Sequence, residues 1–198
     1  MRKINLLTIL ATLIILSLAI PASAMSLKAE NFLRACRTLD APFPPKNWSD
    51  RDIRAASLEI LDEIEAGRFA PWASEFCVTA LGVLGNPDDL PRILAYEDGM
   101  TCTVLRALKG FSHPDAIECL FRQIDSDTDT TRELAVKSLA AMNFNKMKEP
   151  MLWYVKVLDA LKTAYKKETV DWLKDDIQKA ISDLRKPLTS GSNQKSQN

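Results

Sequence analysis

The chain has 198 residues, of which 26 are basic and 26 acidic, and it contains four cysteines and a single histidine. Its hydrophobic content of 46% is that of a globular protein and excludes a disordered or collagen-like chain. The even charge balance excludes a strongly basic nucleic-acid-binding protein. One histidine and six glycines without a phosphate-binding pattern predict no cofactor and no metal site.

The first 24 residues have the pattern of a secretory signal peptide. Basic residues at positions 2 and 3 precede an apolar stretch over residues 4–20, and small residues follow at positions 22–24. The stretch is short for a membrane-spanning anchor. We therefore predict cleavage after Ala24, no membrane insertion of the mature chain, and a periplasmic or secreted bacterial protein. The removed segment carries two basic and no acidic residues, so the mature net charge of −2 favours neither nucleic acid nor an anionic membrane.

Two helices are predicted between the signal peptide and the middle of the chain. The first covers about Leu27–Leu39 and is followed by the Pro-rich connector Ala41–Lys46. The second begins at Ser49 or Asp50, which can cap a helix, and ends near Gly67.

The middle of the chain contains an internal repeat. Residues 80–90 match residues 107–117 at an offset of 27, and the match aligns Pro87 with Pro114. A weaker third copy includes Arg132 and lies at an offset of 31 from the second. Self-similarity at such a period is typical of stacked helical units, each of which exposes an apolar face that only its neighbours can bury.

Each copy has the pattern of a helical hairpin. In the first copy, Gly85-Asn86 predicts the end of the first helix, because both residues tolerate the left-handed conformation of a helix terminus. Pro87 predicts the start of the second helix, where its missing N–H has no cost. The third copy has Asn143-Phe144-Asn145 in place of the proline turn, and Thr130-Thr131-Arg132-Glu133 predicts a capping box at its start.

The segment Ala80-Leu81-Gly82-Val83-Leu84-Gly85-Asn86-Pro87 resembles the short bacterial HEAT-like repeats, a type also found in bilin lyases. Arg132 lies where that family often has an arginine early in its first helix. The resemblance covers about residues 70–165 and implies an all-α fold, a short right-handed α-solenoid of helical hairpins that binds proteins. Bilin-lyase activity is not implied, because the same repeat is a scaffold for many functions.

The domain organisation follows from this pattern. The N-terminal helix and connector take residues 25–48, and the solenoid takes residues 49–186. Within it, repeats over about 70–99, 100–127 and 128–165 are followed by a capping helix over 168–185, and residues 187–198 are predicted to be a disordered tail.

Two patterns resemble functional sites and are better explained by structure. His113 lies in a turn, in the place that Asn86 has in the previous copy, so we interpret it as a turn residue and not as a base or a ligand. Asp125, Asp127 and Asp129 alternate as in a calcium loop, but residues 130 and 136 lack the glycine and the glutamate that such a loop needs.

The four cysteines show no C-x-x-C spacing, which disfavours a redox motif and a zinc ribbon. In an oxidising compartment we predict at least one disulfide, with Cys102–Cys119 and Cys36–Cys77 as the favoured pairs. The alternative is four reduced, partly buried thiols that behave as small hydrophobic residues.

The most apolar run of the mature chain is Met151–Leu158. On a helix this run is apolar nearly all round, so it is either central to the core, covered by the helix over 170–184, or exposes Trp153 to a partner. Solenoids of the HEAT type usually bind along the surface of their second helices. The resemblance therefore implies a set of outward, partner-binding candidates: Arg92, Tyr96, Glu118, Arg122, Trp153 and Lys156.

Together these features predict an exported, non-enzymatic module that binds or scaffolds a protein or peptide partner in the bacterial envelope. A rival hypothesis is an accessory hydrolase or lyase with a carboxylate site on the concave face, although no nucleophile–base pair supports it. A structural part of an envelope assembly and a secreted host-targeting protein are also consistent with these features. The oligomeric state is left open.

Overall fold

In a computed structural model of the chain, residues 25–37, 44–45 and 47–185 are described. They form nine α-helices and three short 3-10 turns, and these residues contain no β-strand, which confirms the all-α class. The predicted signal peptide, most of the Pro-rich connector and the predicted tail lie outside the described residues. The chain divides into two compact units, Met1–Cys77 and Val78–Asn198.

The first unit is built around the packing of α1 (Leu27–Cys36) on α2 (Asp50–Glu65), beside the 3-10 turn Pro71–Ala73. A serine caps the start of each helix, since the hydroxyl oxygens of Ser26 and Ser49 accept hydrogen bonds from backbone N–H groups three residues further on. The predicted cap at position 49 is therefore confirmed. The apolar stripes of the two helices bury Phe32, Leu33, Ile53, Ile60 and Leu61.

The second unit begins within α3, and its helices contact helices one or two places away along the chain. Helix α5 packs against α4, α6 and α7, whereas α9 packs against both α7 and α8. The helices are α3 (Ser74–Leu84), α4 (Leu90–Leu94), α5 (Glu97–Leu108), α6 (Pro114–Gln123), α7 (Asp129–Ala141), α8 (Pro150–Lys167) and α9 (Asp171–Arg185), with 3-10 turns at Pro87–Asp89 and Phe144–Lys146.

The turns that follow α3, α5 and α7 each contain the same kind of local hydrogen bond. The side chains of Asn86, His113 and Asn143 each accept a bond from the backbone N–H two residues ahead, over 3.1, 3.2 and 3.2 Å. A local bond of this kind fixes the reversal of the chain without any distant partner. The interpretation of His113 as a turn residue in an asparagine position is confirmed.

Consecutive turns also contact each other. Gly85 has φ of +62°, and a Cβ placed on it would lie 2.4 Å from the carbonyl oxygen of Gly110. The Ser112 hydroxyl donates a hydrogen bond of 2.7 Å to the carbonyl oxygen of Asn143. Glycine is therefore required at position 85 both by its conformation and by the turn packed against it.

Two helices differ from the sequence prediction, one in its start and the other in its length. Helix α7 begins at Asp129 after the N-cap Thr128, which makes no side-chain cap bond, so the predicted capping box is wrong. The carboxylate of Asp129 in the first turn instead lies beside the positive end of the helix dipole. The second helix of the first copy is only the five-residue α4, and Tyr96 lies beyond its end.

Candidate functional site

Three of the six large apolar side chains that are exposed in the described part of the second unit lie at the start of α8, and the other three are those of Val83, Tyr165 and Trp172. Pro150 opens the helix, and the stripe formed by Val157, Leu161 and Ala164 is buried. Helix α8 packs against α9 and the preceding 3-10 turn, and the side of its first turns opposite the buried stripe is largely exposed. Met151, Leu152 and Val155 are exposed there by 64%, 45% and 48%. We call these three side chains the α8 face.

Aromatic contacts hold the base of the α8 face in place. The Tyr154 hydroxyl donates a hydrogen bond of 2.8 Å to the carbonyl oxygen of Leu184, at the end of α9. The Tyr154 ring also packs edge-on against Phe144, with 6.4 Å between ring centroids. Two independent contacts therefore fix the first turns of α8, although their outer side chains are exposed.

Of the six predicted partner-binding residues, two lie together beside this face. Trp153 is half-buried, and the Lys156 ammonium lies 4.3 Å from the centre of its ring, in a cation–π contact. The apolar run that contains them is thus neither wholly core nor wholly exposed. The sequence reasoning named Trp153 and Lys156 and missed the three residues of the α8 face.

The other four predicted residues are distributed over two helices and one turn. Arg92 and Tyr96 are half-buried, whereas Glu118 and Arg122 are exposed on α6. Arg122 forms an ion pair of 3.1 Å with Glu97, whose side chain is only 18% exposed. Arg122 therefore has a structural partner within the chain in addition to its exposed surface.

Glu97 is the centre of a polar cluster between α5 and α6. Burial raises the pKa of its carboxyl group, but hydrogen bonds from Gln123, Cys119 and Arg122 outweigh this effect, and the pKa lies below its usual value. Burial and the neighbouring Glu97 carboxylate raise the pKa of the Cys119 thiol to about 12. The carboxyl group is thus held ionised and the thiol protonated, an arrangement that suits helix packing.

Neither predicted disulfide is present in the structure. All four cysteines lie in the described residues, and each is a thiol; Cys77 and Cys119 are buried, whereas Cys36 and Cys102 are half-buried. Cys119 turns to the Glu97 carboxylate, and burial raises the pKa of Cys36 to about 12. The structure therefore has four reduced thiols, as the second interpretation of the cysteines expected.

A second polar cluster joins the start of α7 to the corner between α8 and α9. The Arg132 guanidinium bonds to both oxygens of Glu168, at 2.9 and 3.2 Å, and to Asp129 at 2.7 Å. Glu168 also accepts bonds from the backbone N–H groups of Thr169 and Val170. Burial raises the pKa of Glu168, but the bonds from Arg132 and these N–H groups outweigh it, so the pKa lies below its usual value.

Two of the three aspartates of the loop that resembles a calcium site form ion pairs. Asp125 pairs with Lys167 at 3.2 Å, and Asp129 pairs with Arg132. The cleft beside them has a volume of about 280 Å³ and an almost wholly polar lining. Among the described residues, no group of three histidine, cysteine, aspartate or glutamate side chains is placed to hold a metal ion.

A further exposed aromatic group lies in the first unit. Trp72 is 41% exposed, packs against Phe69 and Phe76, and has the Arg37 guanidinium 4.2 Å from its ring centre. These contacts cover much of the indole ring, and Trp72 is a single exposed residue where the α8 face has three.

A scan against protein-family models, a search of curated proteins and a search of solved structures each found no match for this chain. The likeness to HEAT-type repeats therefore stays a prediction from the repeat residues. Within the described ranges, no helix is long and apolar enough to cross a membrane.

Proposed function

We propose that the protein is an exported, non-enzymatic helical-repeat module that binds a protein or peptide partner through the α8 face. The observation that carries this proposal is the exposure of Met151, Leu152 and Val155 on a helix start fixed by other contacts. Three adjacent exposed apolar side chains of this size are typical of an interaction surface. A rigid base lowers the entropy cost of binding, because the surface needs no ordering.

The contacts between turns support a repeat scaffold of the HEAT-like type, with the handedness taken from the sequence resemblance. The same turn bond recurs at Asn86, His113 and Asn143, and each turn contacts the next. Units of this kind stack in register and present successive second helices on one side. In this proposal α8 is the second helix of the last repeat, and Glu118 and Arg122 lie on that of the middle repeat.

The carboxyl groups at the centres of the two polar clusters, Glu97 and Glu168, favour binding over catalysis. A carboxylate enzyme needs at least one carboxyl group with a raised pKa to serve as the acid. Glu97 and Glu168 both have a lowered pKa, and each is saturated with hydrogen bonds from its own chain. These groups therefore hold helices together in the proposed module.

Site-specific photocrosslinking in cells tests the proposed surface. A photoreactive amino acid replaces Leu152 in the α8 face, Glu118 on α6, or Val83, an equally exposed apolar residue on α3. We expect one major adduct from position 152 and none from position 83. An adduct at position 118 as well would extend the surface over the second helices.

The adduct must also depend on the face itself. The double variant Met151→Ser/Val155→Ser should abolish it, while Val83→Ser should leave it unchanged. Equal adducts from positions 152 and 83, or none from any position, would overturn the proposed surface. Export is tested separately by the intact mass of the protein from the periplasmic fraction, which should start at Met25.

A further inference from the structure

The charge of the chain is unevenly distributed, and the α8 face lies within a stretch of sequence with a positive net charge. Residues 146–167, which we call the α8 segment, contain six lysines and two acidic residues, a net charge of +4. The rest of the chain has 20 basic and 24 acidic residues, a net charge of −4. All six lysines of the α8 segment are exposed, and they are Lys146, Lys148, Lys156, Lys162, Lys166 and Lys167.

Much of this positive charge is not used within the fold. Lys162 pairs with Asp159 and Lys167 with Asp125, both at 3.2 Å. Lys146, Lys148 and Lys166 form no ion pair with any residue that the structure describes. The lysines before the helix are therefore available to an external anion, and two of them precede the α8 face directly.

Helix geometry places the charge and the apolar residues on one surface. Met151 and Val155 are four residues apart, as are Leu152 and Lys156, so each pair shares a side of the helix. The Lys156 ammonium is held at the Trp153 ring, 4.3 Å from the ring centre. The result is a small apolar patch, which Lys148 and Glu149 precede and Lys156 follows.

We infer that the partner bound by the α8 face is an acidic, amphipathic segment of a polypeptide. This inference rests on the proposed function and names the chemistry of its partner. Apolar side chains of the segment would cover Met151, Leu152 and Val155, and its carboxylates would meet Lys148 and Lys156. Complementary charge of this kind speeds association and selects among partners, since a basic segment would be repelled.

A polypeptide fits this surface better than an anionic membrane does. A helix that lies in a membrane interface inserts an apolar face along its whole length. Here the long apolar stripe of α8, with Val157 and Leu161, is buried in the protein. Of the large apolar side chains of α8 that are exposed, three lie in the first two turns and one, Tyr165, lies in the last. Three side chains suffice to anchor a peptide helix, which offers residues at matching spacing.

The test uses the mature chain and three probes of stated composition. The first is a labelled helical 18-residue peptide with leucines at spacings of three and four residues and glutamates elsewhere. The second replaces every glutamate with lysine, and the third is a vesicle of phosphatidylglycerol. Fluorescence anisotropy measures peptide binding at low and high salt, and vesicle flotation measures lipid binding.

We expect the acidic peptide to bind at least about tenfold more tightly than the basic one, a difference that high salt reduces. Lys148→Glu/Lys156→Glu and Met151→Ser/Val155→Ser should each weaken binding by about tenfold or more. The matched controls Lys109→Glu and Val83→Ser change an exposed lysine and an exposed apolar residue elsewhere in the second unit. Both should bind as the wild type does.

Three results would overturn the inference. The two peptides could bind equally well, the control variants could lose as much peptide affinity as the α8-face variants, or vesicles could bind in a way that requires the α8 face. Sedimentation that shows self-association through the same face would overturn it in favour of a second copy of the chain. If the protein crosslinked at position 152 has no acidic segment, the inference is refuted and the proposed function stands. Absence of any adduct at that position would refute the proposed function itself.

Discussion

Adding one methyl group at Gly82 should separate two helices that touch through their backbones. A Cβ at this position would lie 2.5 Å from the Cβ and 2.6 Å from the Cα of Ala107, and 3.0 Å from its carbonyl oxygen. Carbon atoms that are not bonded rest about 3.5–4.0 Å apart. Gly82→Ala therefore forces α3 and α5 apart by about 1 Å.

Two opposing terms set the size of the effect. Alanine favours a helix over glycine by about 1 kcal/mol, which stabilises the variant. Overpacking costs about 1–3 kcal/mol, and the upper end applies because the Cα of Ala107 is backbone and cannot rotate away. The backbone at Gly82 is also close to a second residue, because a Cβ on Gly110 would lie 1.9 Å from the carbonyl oxygen of Gly82. We expect a net destabilisation of about 2 kcal/mol.

Urea and thermal unfolding, followed by circular dichroism at 222 nm, measure this difference. For a chain of this size, about 2 kcal/mol corresponds to a melting temperature lower by about 4–8 °C. The matched control is Gly99→Ala, because a Cβ at Gly99 meets no atom within 4 Å. It should equal the wild type or exceed it by up to about 1 kcal/mol. A Gly82→Ala variant as stable as the control would refute the close approach of α3 and α5.

Three further predictions concern buried polar groups. Ser138→Ala removes a hydrogen bond of 2.7 Å to the carbonyl oxygen of Leu105, and it should lower the free energy of unfolding in urea by about 1 kcal/mol. Ser57→Ala should leave that free energy unchanged, because the buried Ser57 hydroxyl bonds to no described residue. Since the folded-state pKa of Glu168 is lowered, its contribution is complete at neutral pH and is lost as the pH falls through the acid range. Glu168→Gln should thus be about 2 kcal/mol less stable at pH 7, with a gap that closes towards pH 3; a constant gap would contradict this. Because its thiol pKa is about 12, Cys119 should react with iodoacetamide about a thousandfold more slowly in the native protein than in the unfolded protein. Because all four cysteines are thiols, all four should react in urea without a reductant.

Features set by neighbouring residues could be predicted from the sequence. Gly85 takes the left-handed conformation, Pro114 opens α6, and His113 bonds to its own turn, because each depends on residues within one helical turn. The role of Gly82 could not be predicted in the same way. It depends on Ala107, which lies 25 residues further on and approaches only once the two helices have packed.

Arg132 makes a contact that no local pattern predicts. Its guanidinium binds Glu168, 36 residues ahead. The capping box predicted around it does not form, because α7 starts earlier than that box requires. The local pattern contains no information about position 168.

The candidate surface was predictable only in part, for a related reason. The apolar run showed that residues 151–158 are unusual, and it named Trp153 and Lys156 as outward positions. Which turns of α8 are exposed depends on where α9 crosses it, and periodicity cannot show that for a run that is apolar nearly all round.

The position of the α8 face follows from the contacts at both ends of α8. At the C-terminal end, the bonds between Glu168 and Arg132 fix the corner that leads into α9 against α7. Because α9 must contact α7 as well as α8, it covers only one side of α8. At the other end, the bond from Tyr154 to Leu184 holds the first turns against the end of α9. The helix is thus fixed at both ends while the outer side of its first turns stays exposed, which is the combination that a preorganised binding surface requires.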